Sequence, residues 1–324
     1  MKYLKIQIAV LVMIMVFSCE KDNQVTVIKL GHSLDQSHSV HQAMVFMGMK
    51  LAEKSGGKMK LDIYPGGQLG NERELIELLQ IGSLGMTKVS ASPMESFVPE
   101  MKVFSLPYVF RSEAHLWRVL NSNIGKKLLL SGQNYFLRGM CYYDAGSRSF
   151  YTKDRPVNTP DDLEGLKIRV MKSKTAVQMV QALGGSATPI PWGELYTALQ
   201  QGVVDAAENN PPSFYLSRHY EVCKYYSLDE HTAIPDILLI STKVWDNLTA
   251  QEQQWLQEAV DESVPYQRKL WKESSDHALE MVRKAGVEVI YPDKKNFQDA
   301  VQALKLAYKG TSIYELLEKI NEIE

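Results

Sequence analysis

Hydrophobic and polar positions between residues 25 and 92 alternate in some segments, as in strands, and recur every three to four residues in others, as in helices. This pattern predicts strands separated by helices. Strands are predicted in the segments VTVIKLGHS, KMKLDIYP and MTKVSAS. One helix is predicted from about Val40 to Lys54, before a Gly-Gly stop signal. Another begins at Asn71, with Glu74 three residues later as a variant of the capping box. This alternation of strands and helices predicts a parallel sheet with crossover helices.

A second unit of the same kind begins near residue 140. Its predicted elements alternate along LEGLKIRVMKSK, KTAVQMVQALGG, SATPIP, WGELYTALQQG and VVDAAEN. A strand in PDILLISTKVW follows, and Thr249 with Glu252 caps a long helical region through about Lys284, which Pro265 should kink or break. A strand in AGVEVIYP and a terminal helix in KKNFQDAVQALKLAYKG complete the pattern. Two such α/β units predict a bilobal molecule, and the cleft between lobes is the default ligand site.

An arginine stands inside the strand predicted for LEGLKIRVMKSK. Alternation places Leu166, Ile168 and Val170 on one face of this strand and Arg169 on the other. Since arginines are mostly exposed, the strand pattern alone favours an Arg169 that points to water.

Composition and charge indicate an ordinary globular protein. The chain has 324 residues, 45% of them hydrophobic, with a formal net charge of -2. This length favours two domains. The charge is too low to indicate nucleic acid or an anionic membrane as the main partner.

The first residues have the pattern of an export signal. Lys2 and Lys5 precede an apolar run that ends at Phe17, and this run is too short for a confident membrane span. The following Ser18-Cys19 resembles a bacterial lipoprotein signal, in which residues 1–18 are removed and Cys19 carries the lipid. The alternative is a cleaved signal followed by an incidental cysteine.

The sequence lacks convincing motifs for hydrolysis, metal binding and nucleotide binding. GHSLD begins like a nucleophile elbow, but Asp35 stands where the closing glycine belongs. His32, His38 and His41 lie close together without a carboxylate pattern, which is weak as a metal site. Neither a Walker loop nor a GxGxxG after a strand is present. No metal or cofactor is therefore predicted, and the sequence leaves open whether Cys141 and Cys223 pair.

Polar residues stand at several predicted strand ends. Glu95 follows the third strand, and Arg148 lies where the chain passes between units. The segment VVDAAENNPPSF places Glu208, Asn209 and Asn210 at the carboxyl end of a strand. Ligands of α/β sheets bind at the carboxyl ends of the strands. Each residue alone is typical of a surface or turn, but together they predict polar groups that face one cleft.

The motifs GHSLDQSHSVHQAM, YPGGQLGNERELIELLQIGSLGM, FSLPYVF, DDLEGLKIRVM and ALQQGVVDAAEN occur in that order over most of the chain. In these motifs the chain resembles the DctP-like solute-binding subunits of tripartite ATP-independent periplasmic (TRAP) transporters. The resemblance implies a periplasmic-binding-protein-like fold, with two α/β lobes that close on an organic acid and a long helix bridging them. It also implies an integral membrane permease as partner and no enzymatic activity. Arg169 then pairs with the ligand carboxylate, and Arg148, Asn209 and Glu95 match further ligand positions.

The expected ligand is a polyhydroxylated monoacid. Hydroxyls favour carboxylates, amides and imidazoles, and the candidate cleft wall comprises His32, Glu72, Glu95, Asn209, Asn210 and His231, with aromatic surface from Trp192 and Phe214. AAENNPPSF and YEVCKYYSLDEH also resemble the subgroup that binds hexuronates such as glucuronate and galacturonate. Asn210 and His231 could instead only shape the rim. The alternatives are a C4-dicarboxylate or other organic acid, a secreted sugar-acid enzyme, or a sensor subunit that docks on a receptor kinase.

The domain limits expected from these patterns divide the chain after the signal into three parts. Lobe I comprises residues 25–145 and 235–273, lobe II residues 146–234 and 274–310, and residues 311–324 form a C-terminal tail or helix. We expect a monomer in the periplasm, attached to the membrane through its lipid.

Overall fold

The first lobe is built on a five-stranded sheet in a computed structural model that describes residues 25–324. Its strands are β1 (Thr26–Gly31), β2 (Met59–Tyr64), β3 (Met86–Ser90), β4 (Leu137–Tyr143) and β10 (Asp236–Ser241), in the order β2-β1-β3-β10-β4. Both β2 and β3 run parallel to β1, which confirms the parallel arrangement predicted for this region. The later strand β10 is antiparallel to its neighbours β3 and β4.

Helices cover this sheet where the sequence has a helical period. They are α1 (Ser39–Lys54), α2 (Glu72–Ile81), α3 (Ala91–Met94), α4 (Glu113–Asn121), α5 (Asn123–Leu130) and α9 (Thr242–Trp245). Val40, Met44, Met47 and Leu51 bury one face of α1 in the core. The capping box predicted for α2 is confirmed, because the Asn71 side chain accepts from the Glu74 N–H and Glu74 accepts from the Asn71 N–H.

The second lobe contains a six-stranded mixed sheet. Its strands are β5 (Arg148–Thr152), β6 (Lys167–Val170), β7 (Ser186–Pro189), β8 (Ala206–Asn209), β9 (Tyr225–Thr232) and β11 (Glu288–Ile290), in the order β11-β9-β5-β8-β6-β7. Its helices are α6 (Lys174–Ala182), α7 (Leu195–Gln200), α8 (Pro211–Leu216), α11 (Lys294–Ala300) and α12 (Gln302–Leu306). The terminal helix expected over residues 294–310 is thus divided at Val301, whose backbone leaves the helical conformation.

Short 3₁₀ turns complete both lobes. They lie at Pro99–Ser105, Gln133–Tyr135, Pro160–Leu163, Trp192–Glu194 and His219–Glu221.

A 35-residue helix, α10 (Ala250–Lys284), joins the lobes. It packs against α1 in lobe I and against α8 in lobe II. The predicted Thr249–Glu252 capping box is confirmed, and the helix is not broken at Pro265. Because Pro265 lies on the exposed face, water can reach the carbonyl that lacks its N–H partner. Residues 144–147 and 233–235 form two further connections between the sheets.

The last helix, α13 (Ser312–Asn321), lies on lobe I, although the residues before it pack on lobe II. Ile320 is fully buried in the lobe I core, and Arg111 Nη1 donates to the Asn321 carbonyl at 2.8 Å. Cys141 and Cys223 are buried free thiols, so they do not pair. No helix in residues 25–324 is long and apolar enough to cross a membrane.

Candidate ligand-binding cleft

A cleft of about 400 Å³ lies between the two lobes. Its volume falls within the range of small-molecule sites. Lobe I and the long helix contribute His38, Glu72, Lys88, Ser90, Asp236 and Trp271, and lobe II contributes Arg148, Arg169, Trp192, Asn209, Asn210 and Ser213.

Arg169 lines this cleft and is 2% exposed. It lies on β6, paired with Thr188 of β7 and Ala207 of β8. Its Nε donates to the Ile190 carbonyl at 2.8 Å, and its guanidinium stands 5.7 Å from the Trp192 ring centre. Its Nη1 has no hydrogen-bond partner among residues 25–324. Burial lowers the pKa of this arginine, as expected for a cation removed from water without an adjacent counter-ion.

Arg148 also lines the cleft, but its charge is neutralised within the protein. Its Nε donates to Glu208 Oε2 at 2.5 Å, and Nη1 donates to Asn209 Oδ1 at 2.8 Å. Behind Glu208, His231 Nδ1 contacts Asp229 Oδ2 at 2.8 Å. Burial opposes the charge on His231, but the Asp229 and Glu208 carboxylates raise its pKa to about 9. At neutral pH His231 is therefore a cation held beside carboxylates, as Arg148 is. Arg169 is the buried cation without a carboxylate partner in the described wall of lobe II, whereas Lys172 of the same wall is exposed to water.

Asn209 and Asn210 follow one another at the carboxyl end of β8. The Asn209 Oδ1 accepts from Arg148 and from the Asn210 N–H, which fixes the orientation of the Asn209 amide. Asn210 caps α8 by accepting from the Ser213 N–H at 2.9 Å, and its Nδ2 donates to the Ala145 carbonyl at 3.0 Å. Asn210 therefore holds the connection between lobes as well as lining the cleft.

The opposite wall carries a buried lysine between two carboxyl groups. Lys88 Nζ lies 3.1 Å from Asp236 Oδ2 and 3.6 Å from Glu72 Oε1. Burial opposes the ammonium charge, but Asp236 and Glu72 raise the pKa of Lys88. Burial also raises the pKa of Glu72, whose Oε1 accepts from the Ser90 N–H at 2.9 Å. The charge of Lys88 is thus balanced by carboxyl groups of its own lobe.

Lys88 and Asp236 line the cleft but were not predicted from the sequence. Their only signal was a charged residue inside or beside a buried strand, in MTKVSAS and PDILLIS. The segments pair as β3 and β10, and that pairing joins parts of the chain far apart in sequence. The partner of Lys88 was therefore invisible to local patterns.

Four of the predicted ligand residues do not line the cleft; these are His32, Glu95, Phe214 and His231. His32 is buried behind it, with Nε2 3.0 Å from His41 Nδ1. Phe214 packs against Tyr151 within lobe II, and His231 lies behind Glu208. The pattern of strand ends selects an edge of the sheet but does not determine which way each side chain turns.

Glu95 instead connects the lobes. Its Oε1 accepts from the Thr175 N–H at 3.0 Å, at the start of α6 in lobe II. The carboxylate thus satisfies one of the free N–H groups of that helix terminus.

Residues that could hold a metal are not gathered at the cleft. In the described part of the chain, no group of three or more His, Cys, Asp or Glu side chains has the required arrangement. His32, His38 and His41 are included in that finding.

Two α/β lobes around a cleft lined by a buried arginine are the arrangement of a class of solute-binding proteins. The chain belongs to one of its families, since residues 30–313 match the bacterial extracellular solute-binding protein family 7, DctP.

Relatives and solved structures resemble this chain over most of its length. The Salmonella typhimurium protein YiiZ is 41% identical over 298 residues, which are 91% of each chain. A TRAP periplasmic solute-binding protein from Bradyrhizobium sp. BTAi1, solved with galacturonate, is 41% identical with a TM-score of 0.89, covering 91% of this chain and 99% of that one. Another TRAP periplasmic solute-binding protein, from Anaerococcus prevotii and solved with glucuronate, is 39% identical with a TM-score of 0.88. The match covers 92% of this chain and 98% of that one.

Proposed function

We propose that this protein captures a hexuronate, such as glucuronate or galacturonate, and delivers it to a TRAP permease. The observation that carries the proposal is the buried guanidinium of Arg169, which lines the cleft and whose Nη1 has no hydrogen-bond partner within residues 25–324. An unpaired cation in such a site favours an anionic ligand group, because burying a charge without a partner is costly. A guanidinium binds a carboxylate through two parallel N–H···O contacts, so it fixes orientation as well as charge.

The lobe I wall of the cleft, opposite Arg169, favours ligand hydroxyls over a second acid group. Lys88 is the buried cation of that wall, and Asp236 and Glu72 already surround it, while the exposed Arg73 at the same wall pairs with Glu77. A second ligand carboxylate would approach these two carboxyl groups and be repelled, whereas sugar hydroxyls could donate hydrogen bonds to them. This charge distribution supports a sugar acid over a C4-dicarboxylate. The galacturonate and glucuronate found in two similar proteins agree with this choice.

Binding without chemistry is the role we infer for the cleft. Family membership supports transport, and the proposal is that the ligand leaves unchanged. Incubating the pure protein with uronates and analysing the mixture by NMR checks this point. Formation of a new sugar-acid product would instead favour the enzyme alternative.

Anchoring through Cys19 is a further part of the proposal. It rests on the sequence FSCEKD after the apolar run, and these residues lie outside the described range. Cys19→Ser should move the protein from the membrane fraction to the soluble fraction of fractionated cells. Equal solubility of wild type and variant would exclude the lipid and leave the ligand assignment untouched.

A thermal-shift screen against sugar acids and dicarboxylates tests the ligand class. A ligand at a hundred times its dissociation constant stabilises the native state by about 2.7 kcal/mol. Glucuronate or galacturonate should raise the melting temperature clearly. A screen in which neither uronate raises it would overturn the proposed ligand.

A further inference from the structure

His38 is a buried histidine of which the fold uses only one ring nitrogen. It is 4% exposed, lines the cleft, and precedes α1 as its N-cap. Its Nδ1 accepts from the Val40 N–H at 3.2 Å. Its Nε2 is buried and has no hydrogen-bond partner in residues 25–324. The ring is tilted against Trp271 of the long helix, with ring centres 6.0 Å apart, so its orientation is held by packing as well as by the cap.

The cap also determines which nitrogen carries the proton. An Nδ1 that accepts from a backbone N–H is unprotonated, so the neutral ring carries its hydrogen on Nε2. Burial, followed by the charge of Lys88, lowers the pKa of His38 to about 3, which keeps the ring neutral at physiological pH. The side chain is therefore a fixed neutral donor that lacks an acceptor in the described part of the chain, and a buried unpaired donor is costly.

The chemistry of the surrounding wall indicates which acceptor would suit this donor. Glu72 and Asp236, on the same lobe, offer acceptors around Lys88. A hydroxyl both accepts and donates, so it can accept from a neutral N–H while donating to a carboxylate. A ligand carboxylate fits this wall less well, since the carboxyl groups would repel it.

We propose that His38 is a specificity-determining residue whose Nε2–H donates to a hydroxyl or ring oxygen of the sugar acid. Lobe I thereby binds the hydroxylated part of the ligand, while Arg169 on lobe II binds its carboxylate. The inference rests on the proposed function. It adds a residue and a ligand group that neither the sequence motifs nor the charged pairs of the cleft assign.

The substitution His38→Asn separates the two uses of the side chain. Asparagine is a good N-cap, so its oxygen can replace Nδ1 as the acceptor at the start of α1, but it has no group at the position of Nε2. His41→Asn is the matched control. It makes the same change three positions further along, at a partly exposed residue that does not line the cleft.

Calorimetric titration of both variants and wild type with glucuronate and galacturonate tests the inference, with melting temperatures as the check on folding. We expect His38→Asn to weaken binding of at least one uronate about ten-fold, and His41→Asn to stay within about two-fold of wild type. A folded His38→Asn protein that binds both uronates as wild type does would overturn the role of His38. If it does not fold, His38→Ser, which also keeps a capping oxygen, is judged by the same criterion. Wild type that binds neither uronate would overturn the proposed function itself, which is a different result.

Discussion

The guanidinium of Arg148 and the carboxylate of Glu208 form an ion pair that is buried on both sides, with side-chain exposures of 6% and 3%. They lie on the neighbouring strands β5 and β8. Arg169, on β6 next to β8, has no such partner among the described residues. The two buried arginines of the cleft are therefore different in kind, since one is neutralised within the protein and the other has no carboxylate partner among the described residues.

Removal of Arg169 should reduce ligand affinity far more than it reduces stability. Truncating one partner of a buried charge pair costs about 2–5 kcal/mol of binding free energy. We expect Arg169→Ala to bind a uronate roughly thirty-fold to several thousand-fold more weakly by calorimetry. Arg169→Lys keeps the charge but loses the planar fork, so it should also bind more weakly than wild type.

The control for this prediction is Arg218→Ala. The Arg218 side chain is 74% exposed and does not line the cleft. Its removal should leave uronate affinity nearly unchanged. Equal affinities of Arg169→Ala and Arg218→Ala would show that Arg169 does not bind the carboxylate.

Loss of the charge on Glu208 should mainly reduce the free energy of unfolding. Glu208→Gln leaves the buried cations of Arg148 and His231 without their shared anion, and breaking such a pair costs about 3–5 kcal/mol. Urea denaturation measures the change. Glu221→Gln, which removes an exposed carboxylate in the same lobe, should change stability by less than about 0.5 kcal/mol. Similar values for the two variants would contradict a buried ionic cluster.

The His231 cluster should also make the protein less stable as the pH rises into the alkaline range. The folded-state pKa of His231, about 9, lies above the 6.5 of an ordinary histidine, so protonation stabilises the native state. The stabilisation is fully present below pH 6.5 and is lost as the pH rises through 9, by about 3 kcal/mol in total. Denaturation at pH 6 and pH 9.5 should show this loss in wild type but not in His231→Gln. Parallel losses in both proteins would assign the effect to other groups.

Selectivity between acid classes provides a further check. Because Lys88 is occupied by Asp236 and Glu72, succinate and malate should bind at least ten-fold more weakly than glucuronate or galacturonate. Competition calorimetry measures the ratio. Tighter binding of a C4-dicarboxylate would overturn the ligand assignment, while the family assignment would stand.

Local patterns were enough to predict much of the fold. The capping boxes at Asn71 and Thr249 mark where two helices begin, and both formed as expected. The alternation around Arg169 placed it on the strand face opposite Ile168, and the structure puts that face on the cleft. In each case the signal and the structure it produces lie within a few residues of each other.

Features that depend on distant partners could not be predicted in this way. Lys88 meets Asp236 only because β10 returns from the second lobe to pair with β3. Glu95 lay at the predicted strand end, but α6 of lobe II approaches closely enough to provide its backbone partner. In the sequence, His38 is notable only because it lies three residues before His41, a helical spacing. The unpaired Nε2 of His38 in the described residues becomes evident only once the helix cap and the burial of the ring are known.

The return of α13 to lobe I has a consequence for the order in which the protein can fold. The lobe I core contains Leu79 from the early part of the chain together with Ile320 near its end. Neither lobe is one continuous segment, so neither can be released by a single cut or completed by an early part of the chain. A chain threaded through a membrane with its N-terminus first cannot complete this core until α13 has crossed. The topology therefore delays native packing of lobe I until α13 is available, because Ile320 is part of the core.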